Sequence, residues 1–196
     1  MIDPNAEVQK DRRPAIVICA YDSDHSGWDP IEDLSGQPWS PQGARTVAVP
    51  SADPETLAST LSAHMAGASC RALLLVGRTR RSDAFRIQMR AENRALTGGQ
   101  RADVNGPAMA RATVPVAEIV RALNDAGLAA DASSDAEEDT GSYLLYRVLS
   151  GLPYGPDAPA IGLLRIPDQA GEDAVQRGVK VAATAIARHL SPLARS

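Results

Sequence analysis

Thr46-Val47-Ala48-Val49-Pro50 and Ala72-Leu73-Leu74-Leu75-Val76-Gly77 are two short apolar runs, and the segment between them has the pattern of a helix. Asp53 or Ser51 can cap that helix, with Pro54 in its first turn, where the missing N–H costs nothing. Leu57, Leu61 and Met65 recur at helical spacing and share one face up to about Ala66. The flanking runs are apolar throughout rather than alternating. Such strands are buried on both faces, and strand, helix, strand in this order implies a parallel sheet with helices on both sides.

The same logic extends outward. Ala15-Ile16-Val17-Ile18-Cys19-Ala20 is a third buried strand, rich in β-branched residues. Ile161-Gly162-Leu163-Leu164-Arg165-Ile166-Pro167 is a last one, with a single charge inside it. Val116 to Ala126 reads as a helix with Ile119, Val120 and Leu123 on one face, ended by Gly127. Tyr143 to Leu149 reads as helical, and Gly171 to His189 as a closing helix carrying Val175, Val179, Val181, Ala182 and Ile186. Ser82 to Leu96 is expected to begin extended and become helical. Thr97 to Gly106 is a Gly-rich loop and Asp131 to Asp139 an acidic one. Tyr21 to Ala44 is a long Pro/Gly/Ser/Asp loop holding Trp28 and Trp39, a length usually functional or mobile in a compact domain. Met1 to Arg13 is polar and reads as a loose N-terminal extension. No repeat or linker divides the chain, so the expectation is one domain over 1–196, a three-layer α/β/α sandwich with a mostly parallel central sheet.

Composition narrows the classes of function. The chain has 196 residues, 44% hydrophobic, enough for a substantial core. The formal net charge of -4 argues against a nucleic-acid partner. Arg78, Arg80 and Arg81 cluster without interleaved aromatics, which reads as a solvated loop, with an anion site as the other reading. No apolar run reaches the roughly 20 residues of a membrane span, and no secretory leader is visible, so a cytoplasmic setting is expected. Cys19 and Cys70 then serve as small buried hydrophobes. His25 lies among Asp22, Asp24 and Asp29, but the spacing matches no metal-ligand motif, and Gly98-Gly99 lacks the Lys-Ser/Thr of a phosphate loop. Neither a metal nor a cofactor is expected. His64 falls on a helix face and His189 in a last helical turn.

From about Ala15 to His189 the order of motifs resembles the pyroglutamyl peptidase I (pyrrolidone-carboxylate peptidase) family. Ile18 to Gly27 falls where that family has a strand followed by Gly-Phe-Glu-Pro-Phe-Gly. Gly77, Gln88, Ala91 and Asn93 keep the spacing of a glycine, a glutamate, an alanine and an asparagine. Asn105-Gly106-Pro107-Ala108 and Val114-Pro115-Val116 are similar to Asp-Gly-Pro-Ala and a later Leu-Pro. Ala126-Gly127-Leu128 and Thr140-Gly141-Ser142-Tyr143-Leu144-Leu145 are similar to Ala-Gly-Ile-Pro and Ala-Gly-Thr-aromatic-Val-Cys, with a few acidic residues inserted between. Gly162 to Pro167 falls on Gly-Phe-Ile-His-Val-Pro. The resemblance implies a cytosolic α/β/α protein, often a dimer or tetramer, that removes N-terminal pyroglutamyl groups with a cysteine, a histidine and a glutamate.

The three positions that the resemblance makes catalytic hold Leu145 for the cysteine, Arg165 for the histidine and Gln88 for the glutamate. A leucine cannot attack a carbonyl, and an arginine keeps its proton near neutral pH. No cysteine follows Cys70, so no shift of alignment restores the nucleophile. The two phenylalanines that line the family's lactam pocket become Tyr21 and Asp24, and a carboxylate in a ring wall needs a partner. Arg165 has two readings. It pairs with Asp22, Asp24, Asp135, Glu137, Glu138 or Asp139, or it holds a ligand carboxylate or phosphate bidentately. Gln88 reads as a structural hydrogen-bonder, Cys19 as an inert thiol and Ser142 as a helix-start residue. The function expected is a binding or assembly module without cysteine-peptidase activity, with Tyr21, Asp24, Gln88, Tyr143 and Arg165 as ligand-binding candidates for a small anionic or peptide-like ligand. The alternative is a repurposed amide or lactam hydrolase or cyclase using Asp24, Tyr21, Tyr143 and Arg165.

Overall fold

The computed structural model describes residues 11–22, 32–33 and 35–191. Its elements are β1 (Ala15–Ala20), β2 (Arg45–Ala48), α1 (Pro54–Ala66), β3 (Cys70–Thr79), β4 (Phe85–Gln88), β5 (Arg90–Glu92), β6 (Met109–Arg111), α2 (Val116–Asp125), β7 (Ala130–Ser133), α3 (Thr140–Ser150), β8 (Ala160–Pro167) and α4 (Glu172–Leu190). Six strands form the central sheet in the order β2-β1-β3-β8-β4-β7. Every pairing is parallel except that between β8 and β4, where the sheet reverses direction. A separate antiparallel ribbon joins β5 to β6.

Side chains alternate across this sheet. Ile16, Ile18, Leu74, Val76, Ile87, Leu164 and Ile166 face the layer of α2 and α4. Val17, Cys19, Leu73, Leu75, Ile161 and Leu163 face α1 and α3, which supply Leu57, Leu61, Leu144 and Leu145. The central strands are buried on both faces, so their near-continuous apolar composition follows directly. Asp53 caps α1 by accepting the Thr56 N–H at 3.0 Å. Gly127, at φ +76, closes α2 in a conformation that favours glycine.

Three sequence expectations change. Ser82 to Leu96 does not become helical: after β4 it continues as β5, because pairing with β6 supplies partners that a local pattern does not reveal. The acidic stretch from Asp131 to Asp139 is not loop throughout, since Asp131–Ser133 belongs to β7 and lies parallel to β4. Arg78 is not a free loop residue. It ends β3, its N–H donates to Asp22 at 2.6 Å, and its guanidinium holds the Asp168 carbonyl at 2.9 Å. Of the long 21–44 stretch, Asp24, His25, Trp28 and Asp29 lie outside the described residues. Its later part pairs Glu32 with Pro38 and packs Trp39 on the α2/α4 side of the core. No helix among the described residues is long and apolar enough to cross a membrane.

Leu74 sits fully buried in the middle of β3. Leu74→Ala should lower the unfolding free energy by about 2–5 kcal/mol through lost burial and the cavity left behind. Urea denaturation followed by far-UV circular dichroism measures it, and a change below about 1 kcal/mol would contradict this core assignment.

Candidate functional site

Arg165 lies in β8 between Gly77 of β3 and Arg86 of β4, with no exposed surface. Strand alternation sends its side chain to the α1/α3 face, beneath the first turn of α3. A guanidinium there has left water entirely, so all five N–H groups need acceptors. Nε donates to Gln88 Oε1 at 3.1 Å, and Nη2 donates to the same oxygen at 2.8 Å. Nη1 donates to Tyr21 Oη at 2.8 Å and to Asp139 Oδ2. Nη2 also reaches Asp139 Oδ1 at 2.8 Å and Ser142 Oγ at 3.1 Å. The Glu137 carboxylate is 4.0 Å from Nε and accepts the Thr79 hydroxyl at 2.6 Å.

Each partner is fixed by the element that carries it. Asp139 is the N-cap of α3 and accepts the Ser142 N–H at 3.0 Å, so one carboxylate both starts the helix and pairs with the arginine. Burial alone would raise the Asp139 pKa. The hydrogen bonds and charge of Arg165, with the Ser142 N–H, outweigh burial and hold it below the ordinary carboxylate value. Burial likewise opposes the charge of Arg165, and Asp139 more than restores it. Gln88 turns its amide oxygen to Arg165 and its Nε2 to the Arg90 carbonyl at 2.8 Å and Ser142 Oγ at 2.9 Å. A glutamate could not make those two donations.

Tyr21 reaches the guanidinium through a slot made by two glycines. A Cβ at Gly77 would fall 2.0 Å from Tyr21 Oη, and one at Gly141 would fall 2.2 Å from it. No larger residue fits at either position while the ring is there. Burial pushes the Tyr21 phenol well above its ordinary range, so it stays protonated.

In front of Asp139 and Ser142 opens a cavity of about 280 Å³, walled by Tyr143, Glu137, Glu92 and Arg94 among others. Arg94 bridges Glu92, at 3.1 Å, and Glu138. A larger cavity of about 780 Å³ lies on the opposite layer between α2 and α4, away from this network. Among the described residues no group of three or more His, Cys, Asp or Glu could hold a metal ion.

The structure therefore gathers Tyr21, Gln88 and Arg165 into one network. Tyr143 lines the cavity instead, its hydroxyl accepting from Arg147 at 3.3 Å beneath that guanidinium. Leu145 is fully buried in the core beside α1, and Asp24 is outside the described residues. Ser142 is in the first turn of α3, but the cap is Asp139, and the serine's larger role is as acceptor for both Gln88 and Arg165. That bridging role was not foreseen, nor was the glycine slot for Tyr21. The Asp139-Thr140-Gly141-Ser142 spacing of a capped helix start was the available signal for the first; nothing local signals the second.

The fold is that of pyroglutamyl peptidase I. The structure of that enzyme from Bacillus amyloliquefaciens superposes with a TM-score of 0.73 at 17% identity, over 89% of this chain and 95% of that one. Pyrrolidone carboxyl peptidase from Thermococcus litoralis gives 0.70 at 14% identity, over 91% and 94%. The Thermus thermophilus protein gives 0.64 at 18% identity, over 87% and 98%. No protein-family model and no curated protein matches the sequence.

Two predictions follow from the Arg165–Asp139 pair. Asp139→Ala leaves a buried cation without its counter-ion and should cost about 3–5 kcal/mol, whereas Asp139→Ala combined with Arg165→Met should be more stable than Asp139→Ala alone. Equilibrium unfolding of the three variants decides it, and a double variant weaker than the single would refute the pairing argument. The second concerns acid. Because Asp139 is depressed in the folded chain, its contribution is complete above the unfolded value of about 3.9 and is lost as pH falls through the lower folded value. Urea midpoints between pH 6 and pH 2 should fall more steeply in the parent than in Asp139→Asn.

Proposed function

We propose that this chain is a pyroglutamyl-peptidase-fold protein without cysteine-peptidase activity, acting as a binding or assembly module. The observation that carries this reading is Arg165, buried on β8 with every donor committed inside the protein. The resemblance puts a proton-accepting histidine at that position. A guanidinium locked by a carboxylate, an amide, a phenol and a hydroxyl can neither take up a proton nor release one at ordinary pH.

Among the described residues, neither cysteine nor Ser142 offers a replacement nucleophile. Cys19 is enclosed in the core, and burial pushes its thiol up to about 12, so almost no thiolate forms near neutrality. Cys70 is buried at the start of β3. Ser142 accepts hydrogen bonds from the Gln88 amide and the Arg165 guanidinium, and no histidine is among its partners. The described histidines, His64 in α1 and His189 in α4, are on elements other than α3 and β8. The alternative of a repurposed hydrolase or cyclase draws less support, because Tyr21 and Arg165 are both spent on the network.

A peptide-like ligand suits the 280 Å³ cavity better than a small anion does, since Glu92, Glu137, Glu138 and Asp139 all line it. Homo-oligomer formation and a reducing, cytoplasmic setting complete the proposal, the latter supported by two unpaired buried thiols.

Release of a fluorogenic amine from a pyroglutamyl substrate tests the central point. The purified chain should match the buffer rate while an active pyroglutamyl peptidase I run beside it turns over. A rate that co-purifies with this chain and persists after a second purification would overturn the proposal.

A further inference from the structure

The β5–β6 ribbon juxtaposes two arginines that nothing else in the described residues neutralises. Arg90 and Arg111 are directly opposite in antiparallel register, and the adjacent Ala91–Ala110 pair is buried against α3. Alternation along each strand therefore puts both guanidinium-bearing side chains on the ribbon's other face. Directly opposed residues have Cβ atoms about 4.5–5.5 Å apart, and like charges so placed repel. Neither arginine forms an ion pair or a side-chain hydrogen bond with a described residue, and Arg90 Nε is buried without any partner. The one carboxylate on the same face of the ribbon, Glu92, is taken by Arg94 at 3.1 Å.

We infer that Arg90 and Arg111 form a binding site for an oxyanion, a phosphate or carboxylate group gripped between the two guanidinium forks. Two parallel N–H donors on each fork match the oxygens of such a group, and the group removes the repulsion; a turn of the Arg90 side chain brings its buried Nε to the same oxygens. Arg90 is half-buried and Arg111 exposed, so the site opens to solvent on one side. Arg165 cannot serve this role, because its donors are already used. The site is independent of whether the chain has peptidase activity.

Inorganic phosphate is the probe, added in place of chloride at constant ionic strength, with the melting temperature read for the full chain. At saturating phosphate the parent Tm should rise by about 2–4 °C. The rise should vanish in Arg111→Ala and persist in Arg121→Ala, a surface arginine on α2. Arg111→Glu places a carboxylate opposite Arg90, so it should raise Tm without phosphate and abolish the response. Backbone amide shifts in a ¹⁵N–¹H correlation spectrum should concentrate at 90–92 and 109–111. Acetate in a parallel series separates carboxylate from phosphate preference. No response to either anion, or an equal response in Arg111→Ala, overturns the inference.

Discussion

A guanidinium on a buried central strand is the constraint around which the neighbouring structure is arranged. Arg165 has no contact with water, so the protein must present acceptors from several directions at once. It does so from three segments: Tyr21 after β1, Gln88 at the end of β4, and the start of α3 with its cap Asp139 and Ser142. These segments set how α3 sits on the sheet. The helix starts where its capping carboxylate can also reach the arginine, and its second residue is a glycine because Tyr21 occupies the space of a side chain.

Two of the three positions that the family resemblance makes catalytic, Gln88 and Arg165, are coupled by this network. An arginine in place of a histidine brings a permanent charge, and a permanent buried charge requires a carboxylate. Asp139 and Glu137 supply it from the acidic segment that precedes α3. Once a carboxylate is present there, a glutamate at position 88 would add a second anion and lose the two donations that Gln88 makes to Arg90 and Ser142. Leu145, one turn further along α3, faces the core and needs no polar partner. A fully satisfied polar cluster of this kind holds one geometry, because releasing any member leaves another orphaned.

Much of the fold was legible from local pattern. β1, α1, β3, α2, β8 and α4 fall within a residue or a few of where apolar runs, helical spacing, Asp53 and Gly127 place them. The elements that were misread, β5 and β7, or given no reading, β6, are short and polar. They hold Arg90, Glu92, Arg111 and Asp131, and they are strands because a neighbour offers a ladder, not because their side chains prefer one. At the candidate site, Arg165 and Gln88 were visible as residues out of keeping with their surroundings. Ser142 was visible only as a helix start.

The sequence by itself determined the layered α/β architecture and which residue types stand at the three positions that the family resemblance makes catalytic. Apolar strands alternating with amphipathic helices have few other ways to bury their surfaces, and a leucine or an arginine cannot be made into a nucleophile or a base by any fold. Tertiary structure alone decided which of several nearby carboxylates meets Arg165, and that Tyr21 reaches it through the gap left by Gly77 and Gly141. Charge attraction and hydrogen bonding depend on separations of a few ångströms between residues distant in the chain, and those distances exist only once the sheet and α3 are packed together.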